Sequence, residues 1–363
     1  MSRSPPTAPT PCAVDFLPFS RIFARVRQTP SAAPAPQGSL AVPIANVQLR
    51  LRIGGYANPL SVPRDHHFLP RFYLSRWIDP GIGELWEYSR PRDLVVVRRR
   101  STKGTGKQEH LYSIAGEVDP QLREQVELRL MSPLDNVAAA ALDHIERTKQ
   151  RPTDIALRDG WARFVMSLLH RSPRRLAYLE NLIRNHIVET TPEDEATYQA
   201  LRRPEDPPTL SRVFADADET RLSRSRAVLL QSLVDSTMIG NAIVLMSWSI
   251  IQLSKPKHGL LTCDDPVLMS NGLDHDRSFI ALPVGPDRLF LAANRQDVIR
   301  AFADQDSAAL ERAFNDAVCQ QADQIVIGRS NQHRKFVENR LGRGEPPHNG
   351  GLGGRYTWAA PLL

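Results

Sequence analysis

Residues 84–100 read ELWEYSRPRDLVVVRRR, and this stretch decides the fold class. Glu84 to Tyr88 and Leu94 to Arg100 are alternating or β-branched runs on either side of the turn-like SRPRD, the pattern of a hairpin. Strand-like runs return only toward the other end: GLLTCDDPV (259–267), SFIALPV (278–284), DRLFLAA (287–293) and QIVIG (324–328). Between these β regions the pattern is helical. Asp119-Pro120 sets an N-cap acid before a Pro at the first helical position, and the helix is expected to reach Arg147, bent or restarted at Ser132-Pro133. A second starts near Thr153 or Asp154, with Ile155, Trp161, Phe164, Val165, Leu168 and Leu169 at helical spacing, and Pro173 should kink or split it. A polar loop (192–208) precedes a helix expected over Leu210 to Leu253, and another is expected over Asp306 to Ala322. β elements flanking a helical block imply an α+β fold, mostly helical. Its long central helices pack on a small antiparallel sheet built from the N- and C-terminal parts of the domain.

Residues 1–60 are rich in Pro, Ala and Ser and are expected to form a disordered arm, because such a segment buries too little apolar surface to offset its ordering entropy. No linker interrupts 64–335, which reads as a single domain, and 336–363 reads as a loosely ordered tail. A chain of 363 residues with 41% hydrophobic and 24% charged residues is ordinary for a globular protein. The net charge of +6 mildly favours phosphate or acidic partners. Cys12, Cys263 and Cys319 are odd in number and lack C-x-x-C spacing, which argues against a disulfide framework or a cysteine-rich zinc site; Cys263 reads as a small buried hydrophobe. Arg3 is not followed by an apolar secretory core, and the most apolar run, Met238 to Leu253, is short for a membrane span and carries Asn241, Ser247, Ser249 and Gln252. A cytoplasmic bacterial protein with no membrane segment is expected.

Four groups of residues can carry chemistry. Asp65-His66-His67 offers a general base or one metal ligand with a neighbouring donor, or else a packed histidine pair. Asp264-Asp265-Pro266, after Leu260-Leu261, offers hard oxygen ligands for a divalent cation, or an Asx-type turn. Arg98-Arg99-Arg100 with Lys103 and Lys107, beside Glu109-His110, could receive a phosphate or be a solvated charge run; it does not fit the P-loop pattern. If nucleic acid binds there, Trp86 or Tyr88 could stack on bases. The fourth group is helical: Glu124, Glu127 and Asp135 read as surface ion pairs, His170 and Arg171 stand at the break before Pro173, and Asn241 reads as a buried hydrogen-bond hub.

The order of these motifs resembles a known bacterial family, the domain of unknown function numbered 4238. The resemblance rests on His66-His67-Phe68-Leu69-Pro70-Arg71-Phe72-Tyr73-Leu74, then Glu84 to Tyr88, Leu111-Tyr112 and Glu127. It continues through Phe164 to Pro173, and through Trp248 leading to Leu261-Thr262-Cys263-Asp264-Asp265-Pro266-Val267. The family usually has Ser at the position of Cys263 and often Asn at that of Asp265, so Asp264 is the acid that carries over. The resemblance covers about residues 64–330 and implies no named activity.

Two function classes stay open on these residues. One is a divalent-metal hydrolase of phosphodiesters or nucleic acid. In it His66, His67, Asp264 and Glu109 supply catalysis, His67 and Asp264 hold the metal, and Arg98, Arg99, Arg100, Lys103 and Lys107 hold phosphate. The other is a non-catalytic binding or sensing module of a bacterial defence or toxin system, in which the His and Asp motifs are structural pins. No G-x-S-x-G, H-E-x-x-H or glycine-rich cofactor fingerprint occurs.

Overall fold

A computed structural model describes residues 63–186, 192–204, 206–215, 219–270, 273 and 275–342. The expected arm at 1–60 and the tail beyond 342 lie outside the described residues. Strand β1 (Asp65–His67) leads to α1 (Arg71–Leu74), a 3-10 turn (Ser75–Trp77), β2 (Leu85–Ser89), β3 (Val96–Arg100) and β4 (Lys107–Glu109). The helical block holds α2 (Pro120–Arg123), a π-helical turn (Glu127–Met131), α3 (Ser132–Thr148), α4 (Ile155–His170) and α5 (Pro173–His186). It goes on through α6 (Pro192–Leu201), α7 (Leu210–Ala215), α8 (Glu219–Val234) and α9 (Thr237–Leu245). Then come β5 (Ser247–Gln252), β6 (Thr262–Cys263), β7 (Leu268–Met269), β8 (Phe279–Gly285) and β9 (Arg288–Ala293). The last elements are α10 (Gln296–Ala303), α11 (Ser307–Gln321), β10 (Ile325–Gly328) and α12 (Arg334–Glu338).

The sequence signals act where they stand. Asp119, Asp154 and Asp306 cap α2, α4 and α11 by accepting from the backbone N–H of Gln121, Ala156 and Ala309. Pro173 splits α4 from α5. The hairpin β2–β3 continues into an antiparallel sheet of order β3-β2-β10-β6, so both ends of the domain build one sheet, as the pattern predicts. A second antiparallel sheet runs β5-β9-β8-β7, and β1 pairs with β4. The Tyr73 hydroxyl ties the two larger sheets together, donating to the Pro283 carbonyl of β8 and meeting Thr262 Oγ1 of β6, both at 2.7 Å. Trp161 of α4 packs edge-on against Phe290 of β9 at 5.2 Å, which seats the central helix on that sheet.

Three expectations change. The helix expected over Leu210 to Leu253 is α7, α8 and α9, and its last part is strand β5. Trp248, Ile250 and Ile251 turn inward, and β5 pairs with β9 from Ser247↔Ala293 to Gln252↔Arg288; a partner strand decides between strand and helix where local hydrophobicity cannot. Asn241 is exposed, not a buried hub. Order also runs past residue 335, since α12 buries Val337 and Leu341 follows it into the core.

The described residues divide into two units, 63–186 with 219–342, and 192–204 with 206–215. The described elements of the smaller unit are α6 and α7, joined by Tyr198 donating to the Pro207 carbonyl at 2.6 Å and by Glu195 accepting from Leu210 N at 2.8 Å. Among the described residues one helical stretch, Glu219–Leu245, is long and apolar enough to cross a membrane; it spans α8 and α9 and buries Leu222, Leu229, Leu230, Val234 and Ile243.

Candidate functional site

The β1–β4 ladder carries the histidine motif. Asp65, His66 and His67 pair with Glu109, Gln108 and Lys107, and His110 N extends the ladder by donating to the Arg64 carbonyl at 2.8 Å. Gly106 fixes its start. At φ +63 it occupies left-handed space, its carbonyl accepts from Phe68 N and Leu69 N, and a Cβ there would stand 2.9 Å from Leu69 Cβ. His110 at the other end also has a positive φ of 55, a conformation that costs a non-glycine residue about 1 kcal/mol and is enriched at functional sites.

Glu124 is the centre of the site. It lies just after α2 and is wholly buried, yet three side chains donate to it and His66 stands beside it. Ser113 Oγ donates to Oε2; His66 Nε2 lies 3.1 Å from the same oxygen, while its hydrogen bond goes to the Pro63 carbonyl at 3.3 Å. Arg123 Nε donates to Oε1 at 2.9 Å, and His110 Nδ1 lies 3.2 Å from Oε1. Burial pushes the carboxyl pKa up, but Ser113, Arg123 and the two imidazoles outweigh it and hold it below the usual value. Ser113 holds one carboxylate oxygen, and Arg123 and His110 hold the other. Glu124 is therefore a fixed anion that orients its neighbours.

Its two imidazoles are not equivalent. Tyr112 N–H donates to His66 Nδ1 at 3.0 Å, and a backbone N–H cannot accept, so the neutral ring carries its proton on Nε2. Burial lowers the His66 pKa, with Glu124 pulling the other way. His66 thus has both nitrogens engaged, Nδ1 by Tyr112 N–H and Nε2 by the Pro63 carbonyl at 3.3 Å. His110 directs Nδ1 at Glu124 and Ser113 (3.1 Å), and among the described residues Nε2 has only Glu109 Oε1, 3.7 Å away. Its half-exposed ring lines a cleft of about 550 Å³ with Ser113, Arg123, Glu180, Ser223 and Arg226. Arg226 pairs with Glu180 and Arg224 with Glu117, so charges in the cleft are compensated.

A second polar group backs the first. Arg171, 1% exposed, pairs with both oxygens of Asp135 (2.9 and 3.1 Å) and donates to the His67 carbonyl at 2.8 Å. Tyr112 OH donates to the Arg171 carbonyl at 3.0 Å, while its ring stacks on His66, 5.4 Å away and 6° from parallel. Glu127 opens the π-helical turn, a rare feature frequent at functional sites. Ser132 donates to one of its oxygens at 2.9 Å, and burial raises its pKa to about 7. The expected surface ion pairs of Glu124, Glu127 and Asp135 are thus corrected: they belong to a buried network.

The other predicted residues separate. Asp264 accepts from three backbone groups at the start of β10, Asp323 N (2.9 Å), Gln324 N (2.6 Å) and Ile325 N (3.3 Å). It pins β6 to the α11–β10 connection, and burial raises its pKa to about 6. Asp265 is paired with Arg174 and Arg175. Burial lowers the His67 pKa to about 4, and Nε2 has no hydrogen-bond partner among the described residues. No group of three or more His, Cys, Asp or Glu among the described residues is arranged to hold a metal ion, so His67 and Asp264 do not come together as a metal centre. Arg98, Arg99 and Lys103 are exposed, Arg100 lies 3.5 Å from Glu87, and Lys107 pairs with Asp65. Tyr88 is buried with its hydroxyl on the Ser330 carbonyl, which removes it as a stacking platform, and Trp86 is half-buried.

Sequence reasoning missed Ser113 and gave His110 and Glu124 minor parts. The available signal was density: Glu109, His110, Ser113, Arg123 and Glu124 fall within sixteen residues around a helix start.

Fold and site together define an α+β protein whose sequence-distant motifs meet around a buried, hydrogen-bonded carboxylate. The chain belongs to the family described as Protein of unknown function (DUF4238), whose model matches residues 65–332. No curated protein and no solved structure matches it.

Proposed function

We propose that this protein is a hydrolase in which His110, oriented by Glu124, acts as general base on a water molecule attacking a phosphodiester. The observation that carries the reading is the pairing of a buried carboxylate with Nδ1 of a half-exposed imidazole that lines a cleft. A carboxylate on Nδ1–H fixes the tautomer and leaves the Nε2 lone pair to take a proton. The reading uses acid–base residues: His110 as the base and Glu124 as the group that orients it. Arg98, Arg99 and Lys103, exposed and without ion-pair partners among the described residues, are the groups that would draw a polyanion such as nucleic acid.

The test is hydrolysis of bis(4-nitrophenyl) phosphate and of a labelled single-stranded oligonucleotide by wild type and His110→Gln, with thermal melts run alongside. A loss of 100-fold or more in kcat at unchanged melting temperature is expected. Undiminished turnover by His110→Gln would overturn the reading. The alternative of a non-catalytic binding module draws on Asp264, whose carboxylate is a structural pin; oligonucleotide binding without any turnover would favour it.

A further inference from the structure

We infer that Ser113 is a positioning residue: its hydroxyl proton is committed to Glu124, so toward His110 it presents only lone pairs and holds the ring proton on Nδ1. The inference rests on the reading of His110 as the base. Ser113, His110 and Glu124 have the composition of a nucleophile–base–acid triad, but they are wired differently. In a triad the serine and the carboxylate sit on opposite ring nitrogens. Here both sit on one, with Ser113 Oγ 3.1 Å and Glu124 Oε1 3.2 Å from His110 Nδ1.

Counting protons decides the direction of each bond. A hydroxyl has one proton, and Ser113 donates it to Glu124 Oε2. Glu124 is an anion with no proton to give, and Arg123 Nε donates to its Oε1 at 2.9 Å. Two acceptors therefore face Nδ1, and in the neutral ring only a proton on Nδ1 satisfies both; the lone pair falls on Nε2. A protonated Nδ1 cannot take the proton of Ser113, so Ser113 is not a nucleophile served by His110. A tight turn builds this arrangement. His110 takes its left-handed φ of 55, and Ser113 N donates to the His110 carbonyl at 3.1 Å, which returns the hydroxyl to the imidazole three residues earlier. Ile114 N donates to the Arg123 carbonyl at 2.9 Å and so ties the turn to the residue before Glu124. From α8, Arg226 donates to the Ser113 carbonyl at 3.3 Å and Ser223 Oγ accepts from Ala115 N at 3.0 Å.

The first readout is the His110 tautomer, by ¹⁵N NMR of the full chain at a pH where the ring is neutral. Wild type is expected to show the Nδ1–H form. An Nε2–H form, with Nδ1 accepting from Ser113, would overturn the inference before any variant is made. Ser113→Ala leaves Nδ1 one acceptor and Oε2 without its hydroxyl donor. It is expected to mix the tautomers and to lower kcat for bis(4-nitrophenyl) phosphate about 10-fold at little change in KM. Ser113→Thr keeps the hydroxyl and is expected to recover both. An unchanged tautomer in Ser113→Ala would overturn the inference, as would a loss of about 1000-fold or more, the mark of a nucleophile. If the tautomers respond as expected while His110→Gln keeps full turnover, the positioning by Ser113 stands and the base assignment fails.

Discussion

At the residue scale the two acidic motifs part company by what fills their oxygens. Glu124 is filled by side chains that belong to a cleft, and Asp264 by three backbone N–H groups that belong to a strand start. Asp264→Ala leaves those buried donors unpaired and should destabilise the fold by about 2–4 kcal/mol in urea unfolding. A cost under about 0.5 kcal/mol would mean that the pin is not structural. Glu127 gives a pH signature. Its folded pKa of about 7 lies above the ordinary 4.5, so the native state holds more protons between these values, and its stabilising contribution is full below 4.5 and lost as pH rises through 7. Glu127→Gln should therefore gain stability over wild type as pH rises from 5 to 8, by on the order of 2 kcal/mol, in paired melts. A difference that does not change with pH would place Glu127 in contact with water. Residues visible in the sequence as motifs, His66, Tyr112, Glu127 and Arg171, were found for that reason. Ser113 and the burial of Glu124 were not legible, because burial depends on partners up to 58 positions away along the chain, such as His66.

At the element scale the hairpin, the capped helix starts and the Pro173 break were readable because each is written in neighbouring residues. β5 was not. Its run MSWSIIQL is as apolar as a core helix, and only β9 makes it a strand. The close approach of α3 and α4 was equally hidden: a Cβ on Gly160 would stand 2.3 Å from Val137 Cγ1. Gly160→Ala gains about 1 kcal/mol of helix propensity but overpacks this contact, which costs about 1–3 kcal/mol, so the net effect should be a loss. Val137→Ala in that background should restore stability, and a double-mutant cycle measures the coupling. Simple additivity of the two changes would show that the helices part without cost. The buried Arg171–Asp135 pair spans the same two helices. Arg171→Met should cost about 3–5 kcal/mol by stranding Asp135, and adding Asp135→Leu should recover much of that loss.

At the scale of the whole molecule, β elements from both ends of the larger unit build one sheet, and the polar site forms where the β1–β4 ladder meets α2. The sheet joining the two ends was foreseen from the order of apolar runs, while the site they were expected to share was not formed: Asp264 went to the sheet and His66 to the ladder. The central claim is that one imidazole of this site, His110, presents a reactive nitrogen to the cleft and owes that to Glu124. Modification by diethyl pyrocarbonate, followed by peptide mass spectrometry, reads this without any substrate. His110 should be carbethoxylated while His66, buried with both nitrogens engaged, is protected, and Glu124→Gln should slow the reaction at His110 several-fold. Modification of His66 as fast as His110, or an unchanged His110 rate in Glu124→Gln, would contradict the account.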